Sequence, residues 1–91
     1  SAEPVEFRLI GNFPNPFNPS TVIKFTLTEK VHVELDIYNI LGRRVTRLVD
    51  GEMKKGQHTV RFDGTPYAAG VYFYRLSAGD RTIVRKMVLL K

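Results

Sequence analysis

The sequence predicts an all-β domain, a single sandwich of about seven mostly antiparallel strands. Three observations carry that expectation. Apolar and polar residues alternate with period two in one segment after another, no stretch of helical length holds a 3.6-residue period, and Gly, Pro, Asn or Asp interrupts the chain every several residues.

The elements follow in chain order. Val5, Phe7 and Leu9 alternate with Glu6 and Arg8, a possible first strand at the end of an upstream connection that opens with the small, polar "SAEP"; residues 1–11 are assigned to that connection and 12–91 to the domain. Pro14, Pro16 and Pro19 hold Asn12 to Pro19 in a polyproline-like or turned path, because each ring fixes its own φ and drives the preceding residue toward extended geometry. Phe13 and Phe17 are thereby presented by a backbone with little entropy left to lose, either as a rigid cover with both rings docked on the core at one end of the sandwich or as a preorganised surface for a receptor.

Ile23, Phe25 and Leu27 form the next apolar face, and Val31, Val33, Leu35 and Ile37 the cleanest half-buried strand; the two are expected to pair across the short "TEK" turn. "NILG" at 39–42 breaks the pattern, with Gly42 free to take positive φ. Arg44 to Val49 reads as a short strand closed by Asp50-Gly51 and followed by an "EMKKG" loop. His58, Val60 and Phe62 share a face, and "GTPYAAG" makes a longer connection. "VYFYRL" at 71–76 is apolar or aromatic on both faces, as in a central strand covered on both sides. One of its tyrosines, Tyr72 or Tyr74, is placed to form a tyrosine corner, its ring buried and its hydroxyl bonded to backbone. Gly79-Asp80 predicts a tight hairpin, and the last strand, "TIVRKMVLLK", reaches the final residue. Seven short strands and no helix argue for a sandwich of the immunoglobulin type.

Composition narrows the chemistry. Ninety-one residues make one domain, which buries only about 60 to 65% of its extended-chain surface and has little volume for a large cleft. The absence of cysteine excludes disulfides, thiolate metal sites and cysteine nucleophiles. No apolar run approaches the roughly 18 to 20 residues of a membrane helix; no signal peptide opens the chain, so export would be directed from upstream of Ser1. The net charge of +5 arises after residue 50, where Lys54, Lys55, Arg61, Arg75, Arg81, Arg85, Lys86 and Lys91 outnumber Glu52, Asp63 and Asp80. Such a half suits nucleic acid, an anionic membrane surface or an acidic protein partner, or simply keeps the domain soluble.

Convergent catalytic groups are sparse. His32 lies on a solvent face beside Glu34, His58 reads as a boundary histidine, and the two are too far apart in sequence for a metal-ligand spacing. Ser1, Ser20 and Ser77 lie outside any nucleophile-elbow context. The carboxylates beside glycines at "DGE", "DGT" and "GD" lack the alternating oxygen ligands of a calcium loop and read as turn chemistry. No basic stripe with interleaved aromatics marks a nucleic-acid surface, since Arg85 and Lys86 point to opposite faces of their strand. The chain is expected to be no enzyme, with no cofactor, metal, small-molecule substrate or nucleic-acid ligand.

Five motifs in series, "PNPFNPSTVIKF", "VELDIYNILGRRV", "LVDGEMKKGQHTVRFD", "GVYFYRL" and "RKMVLLK", resemble the type A C-terminal sorting domains of type IX secretion cargo, a family similar in fold to the immunoglobulin-like domain of the flagellar hook-capping protein. The resemblance covers Asn12 to Lys91. It implies a folded address label: the outer-membrane translocon recognises the domain, a β-barrel shuttle protein accepts it, and a sortase-like cysteine protease removes it from the cargo upstream. The protein would then pass through the periplasm to the outer membrane or cell surface, or be secreted. Pro14, Asn15, Pro16, Phe17, Asn18 and Pro19 match the first motif, Tyr38, Asn39, Leu41 and Gly42 the central turn, and Gly70, Tyr72 and Arg75 the penultimate strand. Most of the apolar members of these motifs are expected to serve the fold. Tyr67 stands where the family shows leucine, in a shortened connection.

The last strand, Arg85, Lys86, Met87, Val88, Leu89, Leu90 and Lys91, is the expected receptor contact, by strand addition or side-chain docking at a basic and apolar edge. Deleting Leu89 to Lys91 is accordingly expected to leave the domain folded and the cargo stranded. The competing expectation is a structural or adhesive immunoglobulin-like module that binds protein or glycan; the lack of tryptophan weighs against a sugar-binding surface.

Overall fold

The computed structural model describes residues 7–91; the predicted strand position Val5 lies outside them. Seven strands follow one another: β1 (Arg8–Phe13), β2 (Ser20–Leu27), β3 (Val31–Asn39), β4 (Arg44–Met53), β5 (Gly56–Asp63), β6 (Gly70–Ala78) and β7 (Arg81–Leu89). They form a three-stranded sheet, β1-β2-β5, facing a four-stranded one, β4-β3-β6-β7. All five strand pairings are antiparallel. This is the predicted β-sandwich.

The period-two pattern explains the layers. Ile23, Phe25 and Leu27 of β2 meet Val33, Leu35 and Ile37 of β3, Tyr72, Tyr74 and Leu76 of β6, and Met87 and Leu89 of β7 in one core, with Phe62 of β5 and Leu9 of β1 completing it. Between buried residues of β2 stand half-exposed ones, the signature of a sheet with one wet face.

Several expectations about pairing and burial are corrected. β2 and β3 do not pair; β2 sits between β1 and β5, and β3 between β4 and β6. Thr28, Glu29 and Lys30 therefore carry the chain from one sheet to the other rather than closing a hairpin. Both arrangements put the odd-numbered apolar residues on the core, so alternation alone does not separate them. β4 is longer than predicted: Asp50 and Gly51 pair with Glu34 and Val33 inside the ladder, and the turn proper is only Lys54-Lys55. β6 is internal to its sheet, but one face is covered; Tyr72, Tyr74 and Leu76 are buried while Phe73 is half-exposed and Arg75 faces solvent. The predicted hairpin at Gly79-Asp80 is present, with Ala78 opposite Arg81 and Gly79 at φ +62°, as the first position of a II′ turn requires.

Phe13 is the remaining exception. The β1–β2 register shifts between Leu9 and Gly11, and Gly11 adopts φ +140°. This bulge inverts the alternation: Asn12 turns inward, and Phe13 is left 51% exposed with the Lys24 ammonium 5.7 Å from its ring centre.

Tyr74 is buried in the core and borders the cleft between β1 and β7 together with Arg85, its cross-strand partner. Burial raises its pKa above the ordinary 10.0, with the Arg85 charge pulling the other way. An acid whose pKa is raised on folding stabilises the fold at pH values below its unfolded pKa, and that contribution disappears as pH climbs through the folded pKa. Urea midpoints measured from about pH 8 to 11 will therefore fall at the alkaline end, and Tyr74→Phe will flatten the fall; equal slopes in the two proteins would assign it to other groups.

Candidate functional site

The proline-rich segment and the terminal strand, singled out separately in the sequence, are one structural unit. Phe17 donates its N–H to the Val88 carbonyl at 2.9 Å, and Leu90 donates its N–H to the Phe17 carbonyl at 2.8 Å, a short parallel rung around Leu89. Two residues earlier the Asn15 side chain imitates the next rung: its Oδ1 accepts the Val88 N–H at 3.1 Å, and its Nδ2 donates to the Lys86 carbonyl at 3.5 Å. A primary amide has the donor and acceptor of a peptide group, so asparagine can extend a ladder where proline on either side cannot.

The same segment is pinned at both flanks. Thr21 Oγ1 donates to the Pro14 carbonyl at 2.8 Å and accepts the Asn12 amide at 3.1 Å. Gly64 donates its N–H to the Pro19 carbonyl at 2.7 Å. Between these pins Phe17 inserts its ring into the end of the core, 1% exposed and edge-on to Phe62 at 5.8 Å. Pro14, Pro16 and Asn18 stay exposed. The expected docking of Phe17 is borne out, and the neighbouring Asn12, Thr21 and Gly64 were not legible as partners because their contacts cross between elements.

Gly64 is required by space. A Cβ there would lie 2.9 Å from the Pro19 carbonyl oxygen and 2.9 Å from Leu89 Cδ2. Gly64→Ala is expected to lower the unfolding free energy, because about 1 to 3 kcal/mol of overpacking outweighs the roughly 0.4 to 1 kcal/mol that a smaller unfolded-state entropy returns. Denaturant titration checks it, and an unchanged midpoint would show that the segment yields freely.

The terminal strand presents its residues unequally. Met87 and Leu89 are in the core, Val88 is half-buried, and Arg85, Lys86, Leu90 and Lys91 are exposed. Arg85 and Lys86 border a cleft of about 290 Å³ between the edges of β1 and β7, together with Ile10, Phe13, Asn15 and Tyr74. The Lys86 carbonyl, both backbone groups of Val88 and the Leu90 N–H are already bonded to the chain's own segment. At residues 86–90 a partner thus meets side chains, not a free ladder. Lys91 Nζ reaches back to the Thr65 carbonyl at 2.8 Å.

The central turn is built by one side chain. Asn39 Oδ1 accepts the N–H groups of Leu41 and Arg43, each at 3.0 Å, while Gly42, at φ +81°, donates to the Asn39 carbonyl. This asparagine-capped turn points Ile40 and Leu41 outward, 70% and 76% exposed. Leu41, grouped by sequence with the motif and structural residues, is therefore an apolar motif member that does not pack in the core. Tyr38 is half-buried at the end of β3, and Gly70 opens β6 opposite Leu89. The tyrosine corner is formed by Tyr72, whose hydroxyl donates to the Ala68 carbonyl at 2.6 Å. Tyr67 packs between Phe62 and Tyr72, with ring centres 5.7 and 6.4 Å away, so the tyrosine in the shortened connection joins the aromatic stack.

Charged groups cluster on the outer face of β3 and β4. The buried Asp36 carboxylate takes a two-pronged hydrogen bond from Arg47, Nε at 2.8 Å and Nη2 at 3.3 Å. Arg47 also lies 3.3 Å from Asp50 Oδ2 and 3.7 Å from Glu34 Oε1, while His32 Nε2 lies 2.9 Å from Asp50 Oδ1 and 3.7 Å from Glu34 Oε2. The donor atoms of His32, Glu34 and Asp50 lie within 4.8 Å of one another. Sequence reasoning missed this grouping, since it depends on the register that sets Glu34 opposite Asp50. The guanidinium holds the far oxygen of Glu34 and of Asp50 as well as Asp36 and so ties two strands together. His58 is a boundary histidine as expected, half-buried against Phe25 with Nε2 2.7 Å from the Lys54 carbonyl. Asp63 accepts the Thr65 N–H and hydroxyl, bonds that lower its pKa, and so does turn chemistry.

Searches of curated proteins and of solved structures give no match. A family model does, described as "Secretion system C-terminal sorting domain", over residues 12–90. That span contains the motif that seals the β7 edge, the exposed central turn and the whole terminal strand. A match over nearly all the described sandwich places the chain in a family: it belongs to the C-terminal sorting domains of type IX secretion.

Proposed function

We propose that this domain is read as one folded object by the type IX machinery and then cut from its cargo. As a sorting domain it directs a protein lying N-terminal to it across the outer membrane, to the cell surface or the medium. The finer steps are our reading. The cargo passes through the periplasm, the outer-membrane translocon recognises the domain, a β-barrel shuttle protein accepts it, and a sortase-like cysteine protease severs it at or before the "SAEP" stretch. Residues 1–11 then comprise the end of the connection and the start of the first strand, which begins at Arg8, and 12–91 act as the signal. The domain performs no chemistry itself.

The observation that carries this reading is the family match over residues 12–90. The structure is compatible with recognition of the intact fold, because the segments that match the family's motifs come together only when β7 has closed against Asn15 and Phe17. Within the terminal strand, the exposed Arg85, Lys86, Leu90 and Lys91 are the side chains we assign to receptor contact, with Met87, Val88 and Leu89 holding them in place. A structural or adhesive module, the other reading, has no observation in its favour here.

Residues 1–91 fused behind a neutral reporter test the proposal in a host that has the secretion system. Appearance of the reporter outside the cell, with the domain removed, is the expected result. A reporter that stays inside with the domain attached would overturn it.

A further inference from the structure

We propose that the receptor of this domain docks on the end of the sandwich formed by Ile40, Leu41 and the Ala68–Val71 connection, inserting an apolar side chain flanked by carboxylates. This rests on the sorting function proposed above and adds the surface that is read and the chemistry that reads it.

Ile40 and Leu41 are the two most exposed large apolar side chains among the described residues, 70% and 76%. They are held outward by the two hydrogen bonds to Asn39 Oδ1 and by Gly42 at positive φ, so their exposure is built into the turn rather than left by fraying. Facing them across a groove of about 260 Å³ are Ala68, Ala69, Val71 and the ring of Tyr72, whose bond to the Ala68 carbonyl fixes the far wall. Leu90, 48% exposed, lies at the same end, one residue beyond the pairing of Leu89 with Gly70. Apolar side chains concentrated at one end of a soluble domain mark an interaction surface.

Shape and charge select the partner. A groove with rigid walls takes a protruding side chain, where a flat lipid surface would need a protrusion to enter it. Arg43 and Arg44, exposed where the central turn runs into β4 directly after Ile40 and Leu41, are in no ion pair among the described residues, and Lys91 adds a third cation at this end. Asp63, at the same end, is turned into Thr65. The rim is therefore cationic, and a protein surface with an apolar knob set among Asp or Glu is its complement.

The test uses the reporter fusion in four forms: the natural sequence, Ile40→Ser with Leu41→Ser, Arg43→Glu with Arg44→Glu, and Val84→Ser as a control in which another exposed apolar residue, away from this end, is changed. The purified domains are checked for an unchanged Tm. Secretion is expected to fall about tenfold or more in the two turn variants and to stay at the natural level in the control. Natural secretion of the Ile40/Leu41 variant, or an equal loss in the Val84 control, would overturn the docking site while leaving the sorting function intact. Failure of the unsubstituted fusion would overturn the sorting function and this inference with it. Two further measurements bear on the occupant. Light scattering that shows a dimer broken by the Ile40/Leu41 change would assign the groove to a second copy, and flotation with phosphatidylethanolamine and phosphatidylglycerol vesicles, lost in the same variant, would assign it to lipid; either overturns a protein receptor.

Discussion

Replacing Phe17 with alanine is expected to remove about 3 to 5 kcal/mol of unfolding free energy, a large share of the roughly 5 to 14 kcal/mol that a domain of this size has to lose. The ring is buried, packs edge-on against Phe62 and closes the core end that Leu89 and Gly64 share. Its removal leaves a cavity that the backbone cannot collapse to fill, because Pro19 is tied to Gly64 and Phe17 itself is bonded on both sides to β7. Phe13→Ala, four residues earlier, provides the internal comparison. Its ring is half in solvent, and the expected loss is about 1 kcal/mol or less. Urea titrations should show a large midpoint shift in the first variant with little change in m, and a small shift in the second. Near-equal midpoints would mean that the segment is a loose cover and not a core element.

That contrast also shows what the sequence could and could not reveal. Both phenylalanines sit in the same proline-rich stretch and look alike on paper. The difference comes from the bulge at Gly11, a single extra residue that turns Asn12 inward and Phe13 outward. Strand existence was legible because burial on one face enforces alternation, and four of the six connections carry Gly, Asn or Pro for physical reasons. Strand partnership was not, since "TEK" can close a hairpin or cross between sheets with the same residues on the core. The end of β4 was misread because Asp50-Gly51 has the composition of a turn yet sits opposite Glu34 and Val33 in a ladder.

The candidate site divides the same way. The terminal strand and the proline motif were visible as segments; that Asn15 completes a rung on a strand more than seventy residues later in the chain is a fact of tertiary structure. The central turn was recognised by motif, and its leucine was grouped with motif residues most of whose apolar members were expected to serve the fold. Asn39 makes it the opposite, by holding the hairpin tip so that Leu41 points to solvent.

Deletion of Leu89 to Lys91, which the sequence suggested would leave the domain folded, is expected instead to unfold it in large part. Leu89 is a core residue in contact with the space above Gly64, and the Leu90 N–H is the donor that holds the Phe17 carbonyl. Losing the leucine side chain alone costs about 2 to 5 kcal/mol, and the freed backbone groups of the sealing segment add about 1 kcal/mol more. Circular dichroism and denaturant titration of the truncated domain will show a broadened or lost transition; a cooperative transition at the natural midpoint would mean that the end of β7 is dispensable. The consequence reaches the sorting function, because a truncation that unfolds the domain stops export whether or not those three residues touch the receptor. Leu90→Ser and Lys91→Ala leave the core untouched and are expected to shift stability by about 1 kcal/mol or less. Only variants of that kind separate a surface that is read from a strand that keeps the surface in place, so loss of secretion in a fully folded Leu90→Ser fusion would carry weight that no deletion can.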